Sequence, residues 1–155
     1  MPCMQEELIF YNGERMVLFE KSVVQSINEW KQVGNSQEAG GVLIGYKRPP
    51  HVHIVACTFP YSHDLRSRHR FFRRDPRHAQ TAFEYWNRTS GLAYYVGDWH
   101  THPVDVPTPS QFDKREWNKL YSEQKTPEAV FLIVGRVEWY VQWGHTRLIS
   151  RHKST

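Results

Sequence analysis

The stretch Gly97-Asp98-Trp99-His100-Thr101-His102-Pro103, followed by Ser110 and Asp113, concentrates residue types that can hold a metal ion. On an extended chain, residues two apart point to one face. His100 and His102 can therefore aim both imidazoles at one point. Pro103 stops the strand, and a loop holding three prolines turns the chain back. Asp113 falls in the first turn of the helix that should follow, where its carboxylate can complete the set. Two histidines and one carboxylate, with a fourth position open to water, make the donor set of a catalytic zinc. Such an ion polarises a carbonyl and acidifies water. Hydrolysis then needs a base to carry a proton from water to the leaving group, and a donor to steady an oxyanion. Ser110 has the type and place for the donor. No HExxH occurs, so the base must be a carboxylate from elsewhere in the chain. Ser110-x-x-Asp113 is also capping-box spacing, which by itself is a structural reading of that pair.

Placing these groups takes a folded domain. The 155 residues fit one domain, 1–155, able to bury a core without staples. A composition 39% hydrophobic and 14% aromatic, with six Trp, argues for a packed interior. Residues 8–11 and 15–19 read as strands joined by the Asn12-Gly13 turn. Ser22 and Gln25 have the spacing of a capping box, with Val23, Ile27 and Trp30 on one helical face and Gly34 as the stop. Residues 41–46 and 51–59 read as strands around the Pro49-Pro50 turn. Asp75-Pro76 resembles an N-cap followed by Pro at the first helical position, opening a helix that buries Ala79, Phe83 and Trp86 and ends near Gly91. Residues 93–99 form the strand leading into the histidines, and 110–122 a helix with Trp117, Leu120 and Tyr121 on one face. The apolar run 129–134 suits a central strand, with 137–143 and 146–149 as further strands. Interspersed strands and helices predict an α/β class, a mixed sheet flanked by helices.

Other features carry less chemistry. Cys3 and Cys57 have no neighbouring Cys at metal spacing and are expected to be free thiols. No run approaches a membrane span and no signal pattern opens the chain, so the expected location is the cytoplasm. Six arginines (66, 68, 70, 73, 74 and 77) face two aspartates between His63 and His78, which concentrates the net charge of +4. This is either a patch for an acidic partner or a solvated loop. Nucleic acid is the less favoured partner, because the charge is confined and no nucleic-acid motif accompanies it. His51, His53 and Asp64 repeat the two-His-and-Asp spacing, but Ile54 and Tyr61 stand where Pro and Ser would be needed. They read as ordinary strand and loop residues.

His100-x-His102, seven residues, Ser110, two residues and Asp113 resembles the signature of the JAB1/MPN/Mov34 metalloproteases, the JAMM family. The family's remaining catalytic Glu precedes a glycine-rich strand, and Glu38-Ala-Gly-Gly-Val-Leu-Ile-Gly45 is similar. The resemblance implies an MPN/JAB, cytidine deaminase-like fold. It implies Zn2+ on His100, His102 and Asp113, Glu38 as general acid/base and Ser110 as the oxyanion donor. Trp99 departs from the Ser or Thr of many members, which implies altered packing. The implied activity is hydrolysis of peptide or isopeptide bonds after a ubiquitin-like C-terminus. The compact chain looks like the bacterial branch, which accompanies E1/E2-like enzymes in CBASS antiphage operons. There the substrate is a nucleotidyltransferase tail conjugated to lysine. A processing peptidase for sulfur-carrier or ubiquitin-like precursors and a metal-free MPN binding module are the alternatives.

Overall fold

The computed structural model describes residues 6–123 and 128–151. The Asn12-Gly13 turn joins β1 (Leu8–Asn12) to β2 (Arg15–Phe19), with Gly13 at a φ of +60°. Glu20 N then donates to Ile54 O, and α1 (Lys21–Asn28) starts at once. This corrects the expected start: the N-cap is Glu20, without a side-chain cap, and Ser22 lies inside the first turn. The helix also ends at Asn28, short of Gly34, which takes a φ of +57° within the following loop. Val23, Val24 and Ile27 are its buried residues.

β3 (Gly40–Arg48) and β4 (His51–Cys57) form a hairpin, and a small hairpin of β5 (Leu65–Arg66) and β6 (Phe71–Phe72) occupies the arginine-rich stretch. After α2 (Arg77–Arg88) come β7 (Ala93–Thr101), α3 (Gln111–Ser122), β8 (Val130–Val134), β9 (Trp139–Trp143) and β10 (Thr146–Ser150). The mixed sheet is not open: its strands run β1-β10-β9-β8-β7-β3-β4-β2 and close into a barrel. β2 with β4 and β7 with β8 pair in parallel; the other ladders are antiparallel.

The two-residue period of a strand divides the core. Val130, Leu132 and Val134 of β8 join the main cluster with Leu43, Trp99 and the buried face of α1. Phe131 and Ile133, on the opposite face, pack under α3, where Trp117 stacks on Phe131 at 4.6 Å. Both faces of β8 are covered, hence its continuous apolar run. At Gly97 the β7–β8 ladder is so close that a Cβ would overlap the Val130 carbonyl.

α2 corrects a second expectation. Phe83 and Trp86 are 60% and 47% exposed and stack on each other. The face turned to the sheet carries His78, Ala82 and Tyr85 instead. His78 is wholly buried, bonded to the Thr58 hydroxyl and, at 2.6 Å, to Asp64. These partners fix the rotation of the helix. The N-cap of α2 is Pro76 rather than Asp75, without a side-chain cap, although Asp75 Oδ1 accepts from Arg77 N at 3.0 Å beside the helix start. No helix among the described residues is long and apolar enough to cross a membrane.

Candidate metal centre

β7 runs to Thr101, two residues beyond the expected strand end, and His102 N continues the pairing by donating to Val134 O at 3.1 Å. Both imidazoles therefore sit on one face of extended backbone, as their spacing requires. The loop after Pro103 is tied to the 135–138 turn: Val137 N and Glu138 N both donate to Asp105 O. It delivers the chain to Ser110, the N-cap of α3. Ser110 Oγ accepts from Asp113 N at 3.0 Å, and Ser110 N donates to Asp113 Oδ2 at 2.9 Å. The capping box is thus real, and it does more than start a helix. It aims the Asp113 carboxylate, whose Oδ1 and Oδ2 lie 3.2 Å from His100 Nε2 and His102 Nε2 respectively. The two Nε2 atoms are 3.1 Å apart.

Two imidazole nitrogens 3.1 Å apart, each 3.2 Å from one oxygen of the same carboxylate, are close enough to share one small ion. Tetrahedral zinc with bonds near 2.1 Å separates its ligands by about 3.4 Å. The electrostatics agree. Burial pulls His100 down, but the bond and charge of Asp113 outweigh it and hold the imidazole above its usual range. Burial raises Asp113, yet its bonds to His100 and His102 bring it well below the carboxylate range. The cluster therefore favours a positive charge at its centre, and a metal would compete there with a proton.

Glu38 reaches the same place from the opposite strand. Gly40 pairs with His100 and Gly41 with Trp99, so the residue preceding β3 by two lies beside the histidines. One carboxylate oxygen of Glu38 and one nitrogen from each imidazole lie within 4.8 Å of one another. Glu38 is 4% exposed. Its burial raises its pKa to about 7, with Asp113 adding to the rise and His100 and Arg70 opposing it. The four residues expected from sequence are thus brought together. Ser110 joins them through Asp113. Phe71, Phe112 and Trp117 help line a cleft of about 380 Å³ that opens onto His100 and Asp113.

A family model described as prokaryotic homologs of the JAB domain matches residues 20–146. The chain belongs to that family. This JAB-type domain is 35% identical over 133 residues to a Pseudomonas aeruginosa protein named CD-NTase/cGAS isopeptidase, covering 84% of each chain. A Vibrio cholerae protein of the same name is 33% identical over 149 residues, 95% of this chain and 94% of that one. The solution structure of a Desulfitobacterium hafniense protein shares the fold, with a TM-score of 0.59 at 20% identity over 86% of this chain and 88% of that one.

Several residues of the JAB-type domain had no sequence signal for the roles they take around the site. Arg66 Nε donates to Glu38 O at 2.7 Å, and Glu38 N donates to Ser67 O at 2.7 Å. Arg73 pairs with Asp98 at 2.8 Å on the wall of the cleft, and Arg77 with Asp75 at 2.7 Å. Arg68 donates to Asn35 Oδ1 at 2.6 Å. Much of the arginine-rich stretch is therefore committed to protein acceptors. The repeated spacing at His51 and His53 is structural: His51 Nδ1 accepts from Met16 N, and His53 Nε2 pairs with Glu20. Asp64 is bonded to His78 and to three backbone amides. Trp99 is buried in the core, with Nε1 donating to Thr58 O at 2.8 Å. Cys57 is a half-buried free thiol pushed up to about 12 by burial, and Cys3 lies outside the described residues.

Proposed function

We propose that the chain is a zinc isopeptidase that cleaves after the C-terminal residue of a protein tail joined to a lysine amine. The observation that carries this reading is the triangle of His100, His102 and Asp113 at 3.1–3.2 Å, with buried Glu38 beside it. Bound there, zinc would supply Lewis acidity toward the scissile carbonyl and a water made acidic near neutrality. The rest of the chemistry belongs to the chain. Glu38 is poised near neutral pH by its burial, so it can both take a proton from the attacking water and release it to the departing amine. Ser110 Oγ accepts from Asp113 N, and its own proton is the donor assigned to the developing oxyanion. Asp113 is locked by the capping box and the two imidazoles, so little rearrangement is needed on metal binding. The aromatic walls of the cleft, from Phe71, Phe112 and Trp117, favour slim residues near the cleaved bond.

The relatives named CD-NTase/cGAS isopeptidase support a CD-NTase tail as the substrate class. In this reading the tail is the C-terminus of a CD-NTase; its attachment by an E1/E2-like enzyme, in cytoplasmic antiphage defence of the CBASS type, is carried over from the family resemblance of the sequence. A model conjugate and a linear fusion of one candidate tail, incubated with zinc-loaded protein, test the reading. Mass spectrometry should find release after the last tail residue of the conjugate. Cleavage of the fusion alone would favour a precursor-processing peptidase. Cleavage of neither would favour a binding module.

A further inference from the structure

Thr101 stands between the two metal-site histidines, so its side chain points to the opposite face of the strand. It is fully buried, and so, at 1% exposure, is Gln32 in the loop after α1. Thr101 Oγ1 donates to Gln32 Oε1 at 2.8 Å and accepts from Ala39 N at 2.9 Å. Thr101 N in turn donates to Ala39 O at 2.9 Å. Gln32 Nε2 donates to Arg68 O at 2.8 Å and to Ser36 O at 3.1 Å. The loop that carries Glu38 is therefore held at three points. Ala39 is tied to the histidine strand, Ser36 to Gln32, and Glu38 itself to Ser67 and Arg66 of the β5–β6 hairpin. Gln32 bonds at once to the strand, the loop and the hairpin.

We propose that Gln32 and Thr101 are positioning residues, a buried strut that sets the distance between the Glu38 carboxylate and the His100–His102 pair. The inference rests on the reading of Glu38 as proton carrier for a zinc-bound centre. The polar groups of the strut are out of water and mutually satisfied, so they have one low-energy arrangement. The Glu38 loop has no regular secondary structure of its own between α1 and β3. Without the strut its carboxylate would keep its place in sequence but lose its fixed separation from the imidazoles. Shifts of about 1 Å in a catalytic group can cost about 10²-fold in rate.

The test compares Thr101→Val, which keeps shape and loses both hydroxyl bonds, with Thr101→Ser, which keeps them, and Gln32→Met with the wild type. Thr101→Val and Gln32→Met should lower kcat on the conjugate by about 10- to 100-fold, with KM within about twofold and zinc still bound. Thr101→Ser should stay within about threefold of the wild type. The double variant should fall no further than the worse single one, because both remove the same strut. A second readout needs neither metal nor substrate. In zinc-free Gln32→Met, amide exchange at Glu38 and Ala39 should quicken by about tenfold or more, while β8 keeps its protection. A wild type that cleaves no conjugate overturns the function reading, and the exchange data then decide the strut alone. The strut is overturned if exchange at Glu38 and Ala39 is unchanged in Gln32→Met. It is equally overturned if Thr101→Ser loses as much kcat as Thr101→Val.

Discussion

Replacing Glu38 by Gln should stabilise the zinc-free protein, and should do so more strongly as the pH rises. The side chain is 4% exposed, and its pKa moves from 4.5 to about 7, first because burial removes water from the carboxylate. A carboxyl whose folded pKa is raised favours the fold below its unfolded value and loses that advantage as the pH climbs through the folded one. With these values the ionised form costs the fold about 1 kcal/mol at pH 5 and about 3 kcal/mol at pH 8. The second figure is a ceiling, since Glu38 also helps to hold His100 protonated. Gln keeps the shape and never ionises. For a domain of this size each kcal/mol moves Tm by roughly 2–4 °C. The Tm advantage of Glu38→Gln over the wild type should therefore grow by about 4–8 °C between pH 5 and pH 8. Thermal melts of both proteins in excess chelator measure it. An advantage that stays flat, or shrinks toward high pH, would mean that Glu38 is solvated and is not held near neutral pH by its site.

Three further outcomes follow from the same geometry. With metal restored, Glu38→Gln should lose turnover on the conjugate while zinc analysis still finds one ion per chain, because a proton carrier is removed and no ligand. His100→Ala, His102→Ala and Asp113→Ala should each lose zinc and activity together, read by metal analysis beside the rate assay. Ser110→Ala removes both the cap on Asp113 N and the oxyanion donor, so it should cost about 1 kcal/mol of stability. The same variant should slow kcat by roughly 10²–10³ with zinc retained, and an unchanged kcat would leave Ser110 a cap alone.

The grouping of His100, His102 and Asp113 was legible because their relations are local. The two-residue strand period places His100 and His102, and a helix first turn places Asp113. The capping-box reading and the ligand reading of Ser110 and Asp113 looked like rivals in sequence, yet the bonds that cap α3 also aim the Asp113 carboxylate at the imidazoles. Glu38 was legible only through resemblance, since its approach depends on the pairing of β3 with β7. Closure of the barrel was not legible, because the β2–β4 and β1–β10 pairings join distant segments and leave no local periodicity. The rotation of α2 was misread for a related reason. Ala79, Phe83 and Trp86 share a helical face as well as His78, Ala82 and Tyr85 do. The choice between them is made by Thr58 and Asp64, far along the chain from the helix they anchor. Gln32 gave no signal at all: a glutamine in a loop looks solvated until its partners at Thr101 and Arg68 are known. Likewise, arginines 66, 73 and 77 looked like an open patch, but each has an acceptor inside the protein.

In the proposed function, His100, His102 and Asp113 bind one zinc on which isopeptide hydrolysis depends. The most direct measurement strips the purified protein with chelator, removes the chelator, and titrates zinc back while following release of the tail from a lysine conjugate. The stripped protein should release nothing, and recovery should be linear and complete at one zinc per chain. Full release from protein shown by metal analysis to be zinc-free, or recovery that never comes at any zinc concentration, would contradict that function.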